Sequence, residues 1–357
     1  MRKIILFAAA ASVALVACTK NEVTNVSSDK EITFQTVETK AAAAFDENNK
    51  FISYAFFNAK GENWDAKNGT ASPYISDAVI SFNSAAKEWK AGQVYYWPKQ
   101  GSLTFFAWST NTTAKPEITG GTVNCTTAKG IEIDNFSIAS NKNVDLLVAE
   151  IAKNQTQNTT QVSDWEKGVP TVFKHVLSKL IFNVQTVDDS GNGKDYSSEG
   201  VTFTVKSIKL KSVKDQLAYA QSWQTGNAPS KHEWTTNSST EEVPITVFTG
   251  SQVATKDATA LTLGAEDRYI VIPQEFDAAT GTEDLLDITY EITTNYTGTA
   301  FTETVNHLVK LSEVYPENWE AGKQYTLTIK LSLNEVLWAP SVDPWVDGRT
   351  DEIHFND

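Results

Sequence analysis

Nearly every apolar stretch from Phe51 onward is short, alternates with polar residues and stops at Gly, Asn, Asp, Ser or Pro. Examples are FISYAFF (51–57), LTFFAWS (103–109), VTFTVKSIKLKS (201–212), LLDITYEITT (285–294) and YTLTIKLSL (325–333). Apolar residues at every second position, rich in Val, Ile, Thr and aromatic side chains, are the pattern of a half-buried strand. Turn-forming residues at such regular intervals leave no room for long helices. AVISFN (78–83), VYYW (94–97), IEIDNFSI (131–138), VDLLVAE (144–150), PITVF (244–248), YIVIP (269–273) and TVNHLVKLS (304–312) fit the same template. Within TVFKHVLSKLIFNVQTV (171–187), the stretch Val176–Leu180 imitates a helical period before β-branched and aromatic residues take over. The chain is predicted to be all-β and built of sandwiches. Low-complexity Asn, Gln and Thr at 154–162, followed by Gly168 and Pro170, divide it near residue 170. That gives an N-terminal domain at 31–170 and a C-terminal domain at 171–357.

The N-terminus has a different grammar. Arg2 and Lys3 precede an uninterrupted small-and-apolar run, Ile4–Ala17, too short to span a bilayer and of signal-peptide length. The run ends in Leu15-Val16-Ala17-Cys18, which resembles the lipobox of bacterial lipoproteins, with cleavage between Ala17 and Cys18 and acylation of Cys18. At about 0.8 kcal/mol per buried methylene, two or three acyl chains anchor a protein stably without crossing the membrane. Residues 18–30 are polar and aperiodic and read as a tether. EITFQTV (31–37) then alternates, with Ile32 and Phe34 on one face, as a first strand.

Composition and motifs narrow the function. Formal charge is -14 and becomes more negative when Arg2 and Lys3 leave with the signal peptide; Arg268 and Arg349 are then the remaining arginines. A nucleic-acid surface needs clustered Lys and Arg, so that class is excluded. With Cys18 acylated, Cys125 stands alone, and neither a disulfide nor a cysteine zinc site can be built. The loop Asp188–Glu199 has the spacing of a calcium loop, with Asp188, Ser190, Asn192, Gly193 and Glu199 at the ligand positions. Its flanks read as strands, which favours a plain hairpin loop. His175, His232, His307 and His354 share no metal or triad spacing, and neither a nucleophile elbow nor a phosphate loop is present. No cofactor and no catalysis are expected. Of the tryptophans, Trp97, Trp108, Trp319, Trp338 and Trp345 fall in or beside strands and suit the core. Trp64, Trp223 and Trp234 lie among polar residues and suit exposed contact, for instance with a glycan.

The order of several motifs is more specific than any one of them. The lipobox, VYYWPKQGSLTFFAW (94–108), DLLVAE (145–150), VFKHVLSKLIFNV (172–184), YIVIPQ (269–274) and WEAGKQYTLTIKLSLNEVLWAPSVDPWVDG (319–348) together resemble the fimbrillin-like pilins of anaerobic Gram-negative bacteria. The resemblance implies two tandem transthyretin-like β-sandwich domains and lipid-anchored export to the outer membrane. It implies pilin subunits as partners, with a host or bacterial surface as a further contact. It also implies assembly by strand exchange: a protease removes the first strand, and a strand from another subunit fills the groove. Candidate donors are the C-terminal stretches EVLWAPSVDPWVDG (335–348) and DEIHF (351–355).

In this family the cleavage loop follows the first strand, where the present chain has Lys40-Ala41-Ala42-Ala43-Ala44. Position 40 is lysine, whereas the family's site is usually arginine, and no arginine lies between residues 3 and 267. Two readings stand: the processing enzyme accepts Lys40–Ala41, or the subunit keeps Ile32 and Phe34 in place, as an anchor or a surface adhesin that does not polymerise.

Overall fold

The computed structural model describes residues 26–36, 45–157, 168–236, 244–263, 269–276, 285–315, 318–334 and 336–345. These residues are all-β; helix among them is limited to α1 (Trp64–Lys67), α2 (Leu311–Val314) and two single 3-10 turns. The largest sheet has nine strands. In spatial order they run β12 (Val169–Thr171), β2 (Phe34–Thr36), β5 (Glu88–Ala91), β4 (Ser72–Asn83), β3 (Lys50–Asn58), β7 (Ser102–Thr112), β10 (Leu147–Ala149) and β13 (Phe173–His175), with β11 (Ala152–Gln155) also on β7. The two end strands, β12 and β13, are consecutive in the chain and separated by Val172 alone, so the sheet curls until its edges meet at one segment. Inside the curl Ile32, Phe34, Phe45, Phe51, Trp89, Trp97, Phe105 and Phe173 form a core.

A second sheet covers the outer face of that curl: β17 (Lys231–Thr235), β16 (Gln216–Ser222), β9 (Ile131–Ser137) and β8 (Val123–Cys125). Ile131, Ile133, Phe136, Leu217 and Tyr219 pack with Ile52, Phe56, Phe106 and Trp108, from the faces of β3 and β7 that point away from the first core. The hairpin β16–β17 therefore comes from beyond residue 170 yet pairs with a strand that precedes it, Gln216 lying opposite Ser137 and Ala220 opposite Glu132.

The remaining strands make a sandwich. One sheet has the order β19 (Thr259–Ala260), β14 (Ser178–Thr186), β23 (Lys323–Leu331), β24 (Val336–Pro344), with β20 (Tyr269–Val271) also on β14. The other runs β18 (Ile245–Val253), β15 (Val201–Lys211), β21 (Leu285–Tyr296), β22 (Thr299–Lys310). Leu180, Phe182, Val184, Tyr325 and Leu327 of the first meet Phe203, Val205, Ile208, Leu286 and Ile288 of the second. Period-two burial along β14, alternating without a break, is what the sequence pattern required. Of the helix-like stretch Val176–Leu180, Val176 and Leu177 form the gap between β13 and β14 and are fully buried, and residues 178–180 open β14.

Part of the segment expected as tether runs as strand β1 (Val26–Glu31), antiparallel to β6 (Tyr96–Pro98). Main-chain ladders need no apolar alternation, which is why a polar stretch gave no signal. Trp64, expected at the surface, is fully buried. The Asn63 side chain caps α1 by accepting from Ala66 N at 3.0 Å, and this one turn lays the indole against Phe56 and Phe106, with centroids at 6.0 and 5.4 Å. Trp223 and Trp234 are half-buried; Trp234 Nε1 donates to Val176 O at 2.8 Å. Trp97, Trp108, Trp319 and Trp345 are in the core. Cys125 is half-buried, and burial pushes its thiol pKa well above the usual value, with Glu132 adding to it.

Candidate strand-exchange site

Ile32 and Phe34 are each 2% exposed, and both point into the curled sheet. The Phe34 ring packs edge-on against Phe51 and Phe105, with centroids at 5.6 and 5.7 Å. Burying two such side chains contributes about 1.5–3 kcal/mol each. The main chain around them is bonded on both sides. Ile32 N donates to Tyr95 O at 2.7 Å, Phe34 pairs with Trp89 of β5, and residues 34–36 lie parallel to 169–171 of β12. Thr33 O accepts from Val169 N at 2.8 Å.

β2 is therefore one stave of the curled wall, flanked by β5 and β12. Its removal would leave a slit between them, with unpaired N–H and C=O groups on both banks and an apolar cavity beneath. That is the physical requirement for accepting a strand from elsewhere. Gly168 makes the fit close: its φ is +122°, and a Cβ there would stand 2.7 Å from the Phe34 carbonyl carbon. The sequence marked Gly168 as a boundary. The structure makes it the residue over which β2 slides into contact.

The first strand read at 31–37 is split between two partners: Glu31 closes β1 on β6, whereas 34–36 forms β2. Ala17, Cys18, Lys40 and Ala41 lie outside the described residues, as do Val37 and residues 346–357. Of the two candidate donor stretches, most of the first is already engaged. Val336–Pro344 is β24, paired with β23 without a register break, and Trp345 is anchored behind it. The Trp345 ring stacks on His175 at 4.0 Å between centroids, Trp345 N donates to Gly322 O at 2.9 Å, and the His175 Nδ1 lies 2.8 Å from Asp145 Oδ1.

The other candidate centres do not assemble. In the Asp188–Glu199 loop, Asp188 Oδ1 accepts from the backbone of Ser190 and Asn192, both at 2.9 Å, and Glu199 pairs with Lys194 at 2.9 Å. These are the bonds of a turn. Among the described residues no group of three or more His, Cys, Asp or Glu side chains is placed to hold a metal ion. No helix among them is long and apolar enough to cross a membrane.

A family model described as fimbrillin-like matches residues 36–345. The chain is similar in fold to a fimbrial protein of Bacteroides vulgatus, with a TM-score of 0.58 at 19% identity, over 88% of this chain and 99% of the other. It is also similar to a candidate cell adhesion protein of Bacteroides uniformis, with a TM-score of 0.50 at 17% identity, over 89% of this chain and 99% of the other. No curated protein matches it. At these identities the structural likeness speaks to the fold.

Proposed function

Because this chain belongs to the fimbrillin-like family, whose members are fimbrial and adhesion proteins of the cell surface, we propose that it is a lipid-anchored pilin subunit, made of two units that divide near residue 170 except that β13 and the hairpin β16–β17 join the first. On this reading it is exported through Cys18, cut between Lys40 and Ala41, and assembled by replacing β2 with a strand from another copy or another pilin. The observation that carries the reading is the seat of β2: a short segment with two buried anchors, bonded between two other strands and followed by Lys40.

The C-terminal sequence supports it. Glu31-Ile32-Thr33-Phe34 in the seat and Glu352-Ile353-His354-Phe355 near the C-terminus differ at one position, and that position, Thr33 or His354, lies between the two anchors. With β24 committed to its own sheet, residues 346–357 are the better donor, and Ile353 and Phe355 match the pockets of Ile32 and Phe34. A surface adhesin that retains β2 is the second reading, favoured by the lysine at position 40. Sequencing the N-terminus of the protein from assembled surface fibres separates the two. Ala41 is expected, and an acylated Cys18 on every copy in the fibre contradicts processing. Replacing Cys18 by Ala is expected to move the protein from the membrane to the soluble fraction; equal membrane retention contradicts the anchor.

A further inference from the structure

Among the described residues β22 is a twelve-residue strand paired on one side only, with β21. It carries the two most exposed large apolar side chains of the described residues, Phe301 at 68% and Leu308 at 54%. Edge strands are ordinarily protected by a proline, a bulge, a central lysine or an inward-pointing charge, and of these β22 has the last alone, Glu303 on its core-facing side. β22 has no proline, its register with β21 is unbroken, and its one lysine, Lys310, is at the very end.

The turn fixes which groups point outward. Thr297 and Gly298 have φ of 55° and 86°, so the hairpin closes through a two-residue type I′ turn, with Tyr296 and Thr299 as the hydrogen-bonded pair. Odd-numbered residues of β22 then bond β21, and the N–H and C=O of the even-numbered residues from Ala300 to Leu308 face away from the sheet. The odd side chains share a face with the buried Leu286, Ile288 and Tyr290, opposite Val309, His307 and Val305 respectively. Phe301 lies on this core-facing side but is uncovered.

We propose that this edge pairs antiparallel with β22 of a second copy, about a two-fold axis through Val305. The sequence is self-complementary in that register. On the core-facing side Phe301 meets Val309 of the other copy, Glu303 meets His307, and Val305 meets itself. On the outer side Leu308 meets Thr302, and Thr304 meets Asn306. No two like charges face each other, and the outward residues Thr302, Thr304, Asn306 and Leu308 of the two copies supply about eight main-chain hydrogen bonds. A two-fold perpendicular to the sheet puts both core-facing sides on the same side, so two four-stranded sheets become one and Phe301 is covered. The contact is lateral, uses neither β2 nor the C-terminus, and is independent of strand exchange.

The test uses the uncleaved full chain carrying Cys18→Ala, with β2 seated and no lipid. Sedimentation is expected to give a reversible monomer–dimer equilibrium. Thr304→Pro removes an outward N–H and leaves the β21 ladder whole. It is expected to keep the parent's circular dichroism and weaken dimerisation at least about tenfold, or 1.4 kcal/mol. Val305→Cys should form a reducible dimer, since residues facing across a non-hydrogen-bonded site lie about 4.5 Å apart at Cα, within disulfide reach. Phe301→Cys and Val309→Cys should cross-link when mixed and not when alone. The unsubstituted chain, which retains Cys125, gives the background. A monomer at all concentrations overturns the proposal, as does a dimer that Thr304→Pro leaves intact. Phe301→Cys cross-linking to itself as readily as Val305→Cys also overturns it, and this cysteine pattern decides the matter if the proline variant does not fold.

Discussion

Phe34 and Gly168 illustrate two kinds of residue that hold the first strand. Phe34 was legible as an anchor because it alternates with polar neighbours. Truncating it to Ala is expected to destabilise the protein by about 3–5 kcal/mol, the range for a buried Phe. A loss below about 1 kcal/mol in denaturant unfolding would mean that the seat is loosely packed. Gly168 read only as punctuation, because close approach of another backbone leaves no trace in one sequence. Gly168→Val combines a positive φ with a Cβ 2.7 Å from Phe34. A cost of at least about 1–3 kcal/mol is expected, with faster digestion of the β2 segment by trypsin. Unchanged melting and digestion would contradict the close fit. Trp64 went unseen for a related reason: its polar neighbours are a helix cap and a surface turn, and what buries it comes from Phe56 and Phe106.

At the scale of elements, the β14, β15, β21 and β23 strands were legible because one face of each meets a core. The hairpin β16–β17 was not. Its sequences, QLAYAQS and KHEWT, carry Gln, Ala, Lys and Glu, and its second strand is covered by little. A polar relay fastens it to the first unit. Tyr219 OH donates to His232 Nδ1 at 2.7 Å, leaving Nε2–H to donate to Ser230 Oγ at 3.3 Å, which in turn donates to Glu150 Oε2 at 2.8 Å. Glu150 also holds Lys174. Burial lowers the His232 pKa to about 4, the pull of Glu150 notwithstanding. Burial also opposes ionisation of Glu150, but Lys174 and Ser230 outweigh it and hold its pKa below the usual value. Between about pH 6.5 and 4 the unfolded chain takes up a proton at His232 that the folded chain refuses. Folding stability therefore falls as pH drops through that window, by up to about 3 kcal/mol, and the loss is complete near pH 4. The Glu150 contribution is lost in turn below its unfolded value. His232→Gln is expected to flatten the pH 6.5–4 portion of a stability profile; an unchanged slope would place the titration elsewhere.

For the whole molecule, the sequence carried the all-β class and the family resemblance, and it picked out the alternation of Ile32 and Phe34 while placing the strand bounds differently from β1 and β2. It did not carry the meeting of β12 and β13 across Val172, or the return of 216–235 to β9. Both are long-range closures that no local pattern encodes. They matter because a curled sheet with one short, separately anchored stave can lose that stave and keep its other walls. Subunits more acidic than the full chain's formal charge of -14 repel one another, so assembly is expected to strengthen when ionic strength rises from about 0.01 to 0.15 M. The central claim, that β2 yields its seat to another subunit's strand, is tested by cutting purified full chain at Lys40 and following its size by sedimentation. Thr304→Pro is included to suppress lateral pairing. The cut chain is expected to lose the segment that ends at Lys40 and grow into oligomers. Removing residues 349–357, or replacing Ile353 and Phe355 by Ala, should prevent that growth. A cut chain that has lost this segment and remains monomeric at high concentration would contradict strand exchange.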